Sequence, residues 1–195
     1  MVEPEVPVVE DKLSAGEYRC PKCGGQLRPW GHARSRVVGR GDSSACIRPR
    51  RARCSCCLVT HVLLPVLALL RRCDLAEAIG HALALKVAAW GYRRIAATVG
   101  VPPSTVGDRG RRFAANAEAI RVGFAGLAMR LDASLAGIEA RASPLADALE
   151  AIVVAHSAAA RSFRPAPLWC FASAASGGRL LANTNPSLPG PWRSR

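Results

Sequence analysis

The sequence predicts an α+β fold that is mostly α: a small β zinc ribbon, then a helix-turn-helix, then a helical hairpin. Three observations carry this. Two Cys-x-x-Cys pairs, Cys20/Cys23 and Cys54/Cys57, fall in the first third of the chain. From Leu75 onward, apolar residues recur at three-to-four spacing, the period of a helix with one buried face. A Gly-Val-Pro-Pro-Ser-Thr-Val turn at residues 100–106 interrupts that pattern in the manner of two helices crossing at a tight corner.

Residues 1–17 hold five acids and one base and read as a disordered acidic leader without the character of a signal peptide. The ribbon is expected over residues 18–64. Each Cys pair offers half of a tetrahedral site, and zinc takes four thiolate or imidazole donors. Cys20-Pro21-Lys22-Cys23-Gly24-Gly25 suits a tight knuckle, because Pro presets φ and glycine accepts a positive one. Cys20, Cys23, Cys54 and Cys57 are therefore the expected zinc ligands. The 30-residue spacer from 24 to 53 leaves room for a three-stranded ribbon. Alternatives stay open: Cys56 offers a competing register, and His32 or His61 a nitrogen. A redox dithiol would call for a β-α-β setting, and a disulfide framework for secretion. Cys46, Cys73 and Cys170 read as small, partly buried hydrophobes.

Within the ribbon, residues 34–40 and 46–53 alternate enough to be strands, with 39–44 as the turn between them. Arg48, Arg50, Arg51 and Arg53 crowd the second of these. Like charges so close repel one another, so a phosphate-facing role is favoured over a merely solvated strand. The charge of the whole chain fits: it is +13 net, and residues 18–115 carry +14 against −4 on residues 1–17 and +3 on the remainder. Such a field draws polyanions. Of the 27 bases, 24 are Arg, which suits bidentate contacts to phosphate and guanine.

Residues 65–115 carry the helix-turn-helix. Asp74-Leu75-Ala76-Glu77 has the form of a capping box, and Leu75, Ile79, Ala82 or Leu83, Val87 and Trp90 mark the buried face of the helix it opens. Gly91 is expected to end that helix. A short helix over 92–99 closes at Gly100, and Pro103 opens the next. Ile95, Ala96, Val101 and Val106 are the expected core. Ser104 and Thr105 then stand at an exposed helix N-terminus, where free N–H groups favour phosphate and short hydroxyls reach base edges. Arg109 is placed near the bases with them. Gly107, Arg109 and Gly110 stand where a helix wants good formers and one buried apolar residue.

Phe113, Ala117, Ile120, Phe124, Leu127, Leu131, Leu135 and Ile138 follow near-heptad spacing, and Ser143-Pro144 opens a further helix. Packing of residues 116–163 on themselves is favoured; a homodimer through 113–156 is the alternative. Residues 164–195 read as a Pro/Gly-rich tail, with Leu168-Trp169-Cys170-Phe171 able to dock back. The longest apolar run, 62–70, is far short of the roughly 20 residues a bilayer span needs. The default is a cytoplasmic, nucleoid-associated protein.

Cys20-Pro21-x-Cys23-Gly24, Trp30-Gly31-His32, Arg50-Arg51-x-Arg53-Cys54-x-x-Cys57 and Thr60-His61-Val62-Leu63-Leu64-Pro65 together resemble the N-terminal zinc ribbon of bacterial insertion-sequence transposases. Arg93-Arg94-Ile95-Ala96, Gly100-Val101-Pro102, Ser104-Thr105-Val106 and Arg111-Arg112-Phe113 resemble the helix-turn-helix that follows it there. The resemblance covers about residues 18–160. It implies binding of double-stranded DNA at mobile-element ends, extends the contact set to Arg93, Arg94, Arg111 and Arg112, and implies a separate transposase subunit as partner. Cys56 and the Arg109-Gly110 pair depart from the pattern. The three-carboxylate catalytic core of such transposases is missing from this sequence, so the expected function is non-enzymatic. A transcriptional repressor is the alternative. A recombinase fragment using Asp132, Glu139 or Asp147, or a thiol oxidoreductase, ranks below both.

Overall fold

The computed structural model describes residues 2, 5–40, 43–135 and 143–182. Helices dominate and the strands form two small antiparallel sheets, so the chain is α+β and mostly α. The order is α1 (Val6–Ser14), β1 (Leu27–His32), β2 (Arg36–Arg40), β3 (Ser43–Ile47), β4 (Arg50–Cys54), β5 (Thr60–Leu63), α2 (Ala76–Val87), α3 (Tyr92–Val99), α4 (Pro103–Ala115), α5 (Ala117–Leu131), α6 (Pro144–Ser162) and α7 (Leu168–Ala175).

Residues 6–14 of the acidic leader form a helix, which corrects the expectation of disorder there. Pro7 stands in the first turn of α1, where a missing N–H costs nothing. Val9 and Leu13, four apart, are buried with Leu27, Ala52 and Leu63. Each such side chain contributes about 1.5–3 kcal/mol when fully buried. Val2 bridges Pro65 and exchanges backbone hydrogen bonds with Leu64 and Val66. Of the acids on α1, Asp11 faces solvent and Glu10 is half-buried against Arg50.

The three-stranded sheet has the order β1-β4-β5. The single long strand expected over 46–53 is instead broken at Arg48-Pro49: its first part, β3, pairs with β2 as a hairpin, and its second part, β4, joins the other sheet. Proline has no N–H for a ladder, so a change of sheet at this point follows from the sequence. The β2–β3 hairpin packs away from the cysteines. Val38 and Ile47 are buried with Leu64 and Ala68, and the Gly39 amide donates to Cys73 O at 2.7 Å.

α2, α3 and α4 form the predicted trihelical unit. Ala82, Ile95, Ala96, Val101 and Val106 make its core, and Gly100 takes φ 66° at the corner. α4 runs unbroken through Gly107 and Gly110. Two details differ. α2 ends at Val87 rather than Gly91, and it is Ala89 that adopts a positive φ. Asp74 does not cap α2: the helix starts at Ala76 without a side-chain cap, and Asp74 is buried elsewhere.

α5 and α6 pack along their lengths, with Ile120, Phe124 and Leu127 facing Ala148, Ala151, Ile152 and Ala155 in one core with Phe113 and Ile79. The near-heptad seam is thus spent inside the chain, and it breaks at Asn116, whose side chain donates to Ala182 O. Asp132, just past the end of α5, pairs with Arg161 in the last turn of α6. The two helices therefore point the same way, whereas a hairpin would set them antiparallel. Ile138 and Glu139 lie outside the described residues.

The expected loose tail is structural as far as Ala182. Trp169, Ala172, Leu180 and Leu181 are buried in the helical core. The Leu70 amide donates to Gly178 O, and Arg72 to Leu181 O. Residues 183–195, with Pro186, Pro189 and Pro191, lie outside the described residues.

Candidate functional site

The two knuckles meet at one point. Cys20 and Cys23 follow α1, and Cys54 and Cys57 bracket the turn from β4 to β5. β1 and β4 align Leu27 with Cys54, which brings the pairs face to face. All four Sγ atoms lie within 4.8 Å of one another, with Cys20–Cys57 at 3.6 Å and Cys23–Cys54 at 3.4 Å. Four thiolates on a tetrahedral ion with bonds near 2.3 Å would stand about 3.8 Å apart. The cluster therefore fits a metal ion, with Cys20 and Cys54 buried and Cys23 at the surface.

Local backbone geometry favours thiolates here. The amides of Cys56 and Cys57 donate to Cys54 Sγ at 3.3 and 3.5 Å. The Cys57 amide is the largest influence holding the Cys54 thiol down at about 6, with burial opposing it. Cys57 goes the other way, up to about 12: the Val59 amide favours its thiolate, but burial and the thiols of Cys23, Cys20 and Cys54 outweigh that. Four acids so close cannot all ionise unless a cation joins them. His61, on β5, sets Nε2 3.3 Å from Cys20 Sγ, as a neighbour of the cluster outside the four-sulfur set. Cys56 contributes its amide while its side chain is exposed, so the register left open by the sequence resolves to Cys54 and Cys57. His32 lies opposite Arg50 at the far end of β1. Cys46 and Cys73 are exposed, against the expectation of partial burial, and Cys170 is half-buried with its thiol pushed up to about 11 by desolvation.

No family model, curated protein or solved structure matches the chain.

The basic residues sort into three groups. On the three-stranded sheet, the pleat puts Arg51 and Arg53 on the outer face and Ala52 and Cys54 on the inner one. Arg53 lies over the Trp30 ring at 4.6 Å and donates to Leu58 O. Arg48 is exposed beside Pro49. Arg50 faces inward: its Nε is 2.6 Å from Glu10 and its Nη1 donates to Gly31 O. It is committed to fastening α1, which corrects its assignment to phosphate.

On the helices, Arg93 and Arg94 are exposed on α3, with Arg94 stacked on Trp90 at 3.6 Å. Ser104 is exposed and Thr105 half-buried at the start of α4. Arg111 is exposed, and Arg112 pairs with Asp108 at 2.7 Å. Arg109 is the second correction. It is 5% exposed and bound to Asp74, so it reaches no base. The position one turn past Val106 does point into the protein, as helical geometry requires. It holds a cation because a buried carboxylate waits there. Nothing in the sequence links positions 74 and 109, so the pair was not legible.

Asp132, a candidate carboxylate for the recombinase alternative, is bound to Arg161 and to Ser134. Among the described residues, no helix is long and apolar enough to cross a membrane.

Proposed function

We propose that this is a zinc-stabilised, sequence-specific DNA-binding protein, related to the N-terminal regions of insertion-sequence transposases and acting at mobile-element ends without catalysis of its own. The observation that carries the reading is the joining of a four-cysteine cluster to a trihelical unit whose α4 begins without a side-chain cap at the exposed Ser104. Zinc suits the donor set: thiolates are soft, four of them close the coordination shell, and such sites fold small domains rather than react. The kinship itself rests on the sequence resemblance.

In this reading α4 enters a major groove by its first turn. Ser104 and Thr105 approach the bases and the Ser104 amide faces a phosphate, since Pro103 has no N–H and the Thr105 and Val106 amides donate to Pro102 O. Arg93 and Arg94 on α3, Arg111 and Arg112 on α4, and Arg48, Arg51 and Arg53 on the ribbon take the backbone. If about six phosphates are neutralised, log affinity falls with log salt at a slope of about −5. Selection of duplexes from a random pool, followed by titration of the winner against salt, tests this. A slope near zero, or no enriched sequence, overturns it. Elemental analysis of the purified chain should return about one zinc per molecule; iron or no metal overturns the zinc assignment.

A further inference from the structure

The outer face of the β1–β4–β5 sheet is unlike the rest of the surface. The strand registers pair Arg28 with Arg53 and Arg51 with Val62, and the pleat sets Arg28, Trp30, Arg51, Arg53, Thr60 and Val62 on this one side. α1 covers the opposite side. Among the described residues, the outer face carries three arginines and no acid. Arg28 and Arg53 stand directly across from each other, a like-charge pair that weakens an antiparallel ladder unless an anion sits between them. Neither Arg28 nor Arg51 has an ion-pair partner among the described residues. In their midst Trp30 is 51% exposed, a large indole that the core does not use. Arg53 covers part of its ring at 4.6 Å and leaves the remainder open.

We propose that this face is a platform for single-stranded nucleic acid, with an unpaired base stacked on Trp30 and the adjoining phosphates held by Arg28, Arg51 and Arg53. An exposed ring among cations offers what a single strand presents: a π-face and a regular negative charge. A duplex hides its base faces, so it can use the arginines but not the indole. The stack runs base, indole, guanidinium, and the guanidinium strengthens it by its own attraction to the ring. The inference rests on the nucleic-acid reading above only for the class of partner. It adds a second mode of binding, at a place separate from α4. Arg51 and Arg53 serve phosphate in either mode, and Trp30 serves the single strand alone.

The test uses the full zinc-loaded chain and two labelled probes, a thymidine oligomer of about 12 nucleotides and a duplex of the same length, followed by anisotropy. The wild type is expected to bind the oligomer with quenching of tryptophan fluorescence. Trp30→Ala should weaken the oligomer by about tenfold or more, the loss typical of one stacked base, and leave the duplex within about twofold; Trp30→Phe should restore most of the loss. Arg28→Ala, at an exposed site that cannot disturb the core, should make the salt slope for the oligomer shallower by about 0.7. Failure of the wild type to bind the oligomer, or equal binding by Trp30→Ala and the wild type, overturns the proposal. Oligomer binding that depends on Trp30, with no duplex binding at all, would uphold this platform and overturn the α4 reading instead.

Discussion

Asp74 and Arg109 form a buried ion pair, 3% and 5% exposed, between the segment leading into α2 and the middle of α4. Asp74 also accepts from Arg40 Nε at 2.9 Å, at the end of β2. One carboxylate thus ties the β2–β3 hairpin to the trihelical unit. Breaking such a pair from one side strands a buried charge and costs about 3–5 kcal/mol, whereas replacing both partners by apolar groups is often neutral. Asp74→Asn should therefore lower thermal stability sharply, and the double change Asp74→Leu with Arg109→Met should recover most of it. Arg40, half exposed, can turn to water, so Arg40→Ala should cost much less. Melting curves of the four proteins decide the matter; equal loss in the single and double variants would show that the pair is not what holds these elements.

The same carboxylate sets an acid limit. Burial alone would raise its pKa, but the hydrogen bond from Arg40 and the charge and hydrogen bond of Arg109 outweigh burial and lower it. A depressed folded value means that the stabilisation is complete above the unfolded value of about 3.9 and is lost as pH falls through the lower folded one. Stability against urea should thus drop below about pH 4, and in Asp74→Asn this limb should be shallower. An identical limb in the variant would assign the acid transition to Asp108 or Glu118, whose arginine partners also lower them.

Gly24 and Gly25 are neighbours with opposite sensitivities. A Cβ on Gly25 would stand 2.8 Å from Cys56 Cβ and 2.9 Å from Cys54 Sγ, inside the cluster's own packing. A Cβ on Gly24 meets nothing within 4 Å, but φ there is +73°. Gly24→Ala should cost about 1–2 kcal/mol of stability through backbone strain alone and keep its metal. Gly25→Ala should lose metal to a competing chelator at concentrations that leave Gly24→Ala loaded. The reverse order would show that knuckle strain, and not space beside the sulfurs, governs the site.

What the sequence disclosed, it disclosed through local rules. The Cys-x-x-Cys spacing located the four sulfurs, and the Ile95, Val101 and Val106 pattern located the trihelical core, because knuckles and helix faces are set by neighbours in the chain. Long-range choices were hidden. Asp74 and Glu77 have the spacing of a capping box, yet neither caps α2. Asp74 goes to two arginines 34 and 35 positions away, and Glu77 Oε1 accepts from the amides of Trp169 and Cys170 in the first turn of α7. A carboxylate at a helix start satisfies amides wherever they are free, and the sequence did not say whose. The charge of the leader points to disorder, but two apolar residues, Val9 and Leu13, are enough to dock it.

Gly80 explains how α7 comes so close. A Cβ at this position in α2 would lie 1.8 Å from the Trp169 ring. Glycine is otherwise a poor choice here, about 1 kcal/mol worse than alanine in a helix interior. Overpacking a dense core costs about 1–3 kcal/mol, and this ring is buried and held at its backbone by Glu77, so the clash should win. Gly80→Ala should destabilise the protein and expose Trp169, seen as a red shift of its emission. A more stable Gly80→Ala protein would mean that α7 moves aside without loss.

Metal removal should divide the molecule along a line the sequence did not mark. The core beside the cysteines is small: Val2, Val9, Leu13, Leu27, Ala52 and Leu63 around Cys20 and Cys54. So few apolar side chains seldom hold a fold unaided, and closure of the thiolate site supplies the rest. The β2–β3 hairpin belongs to a different core. Val38 and Ile47 pack on Leu64 and Ala68, Gly39 bonds to Cys73, and Arg40 to Asp74. After exhaustive chelation under reducing conditions, amide exchange should become fast in α1, β1, β4 and β5. It should stay slow in α2, α4, α5 and α6, and protection should persist in Val38 and Gly39 of the hairpin. Loss of hairpin protection together with the other strands would make residues 18–64 one cooperative unit, as the sequence first implied, and the Arg40–Asp74 tie a surface ornament.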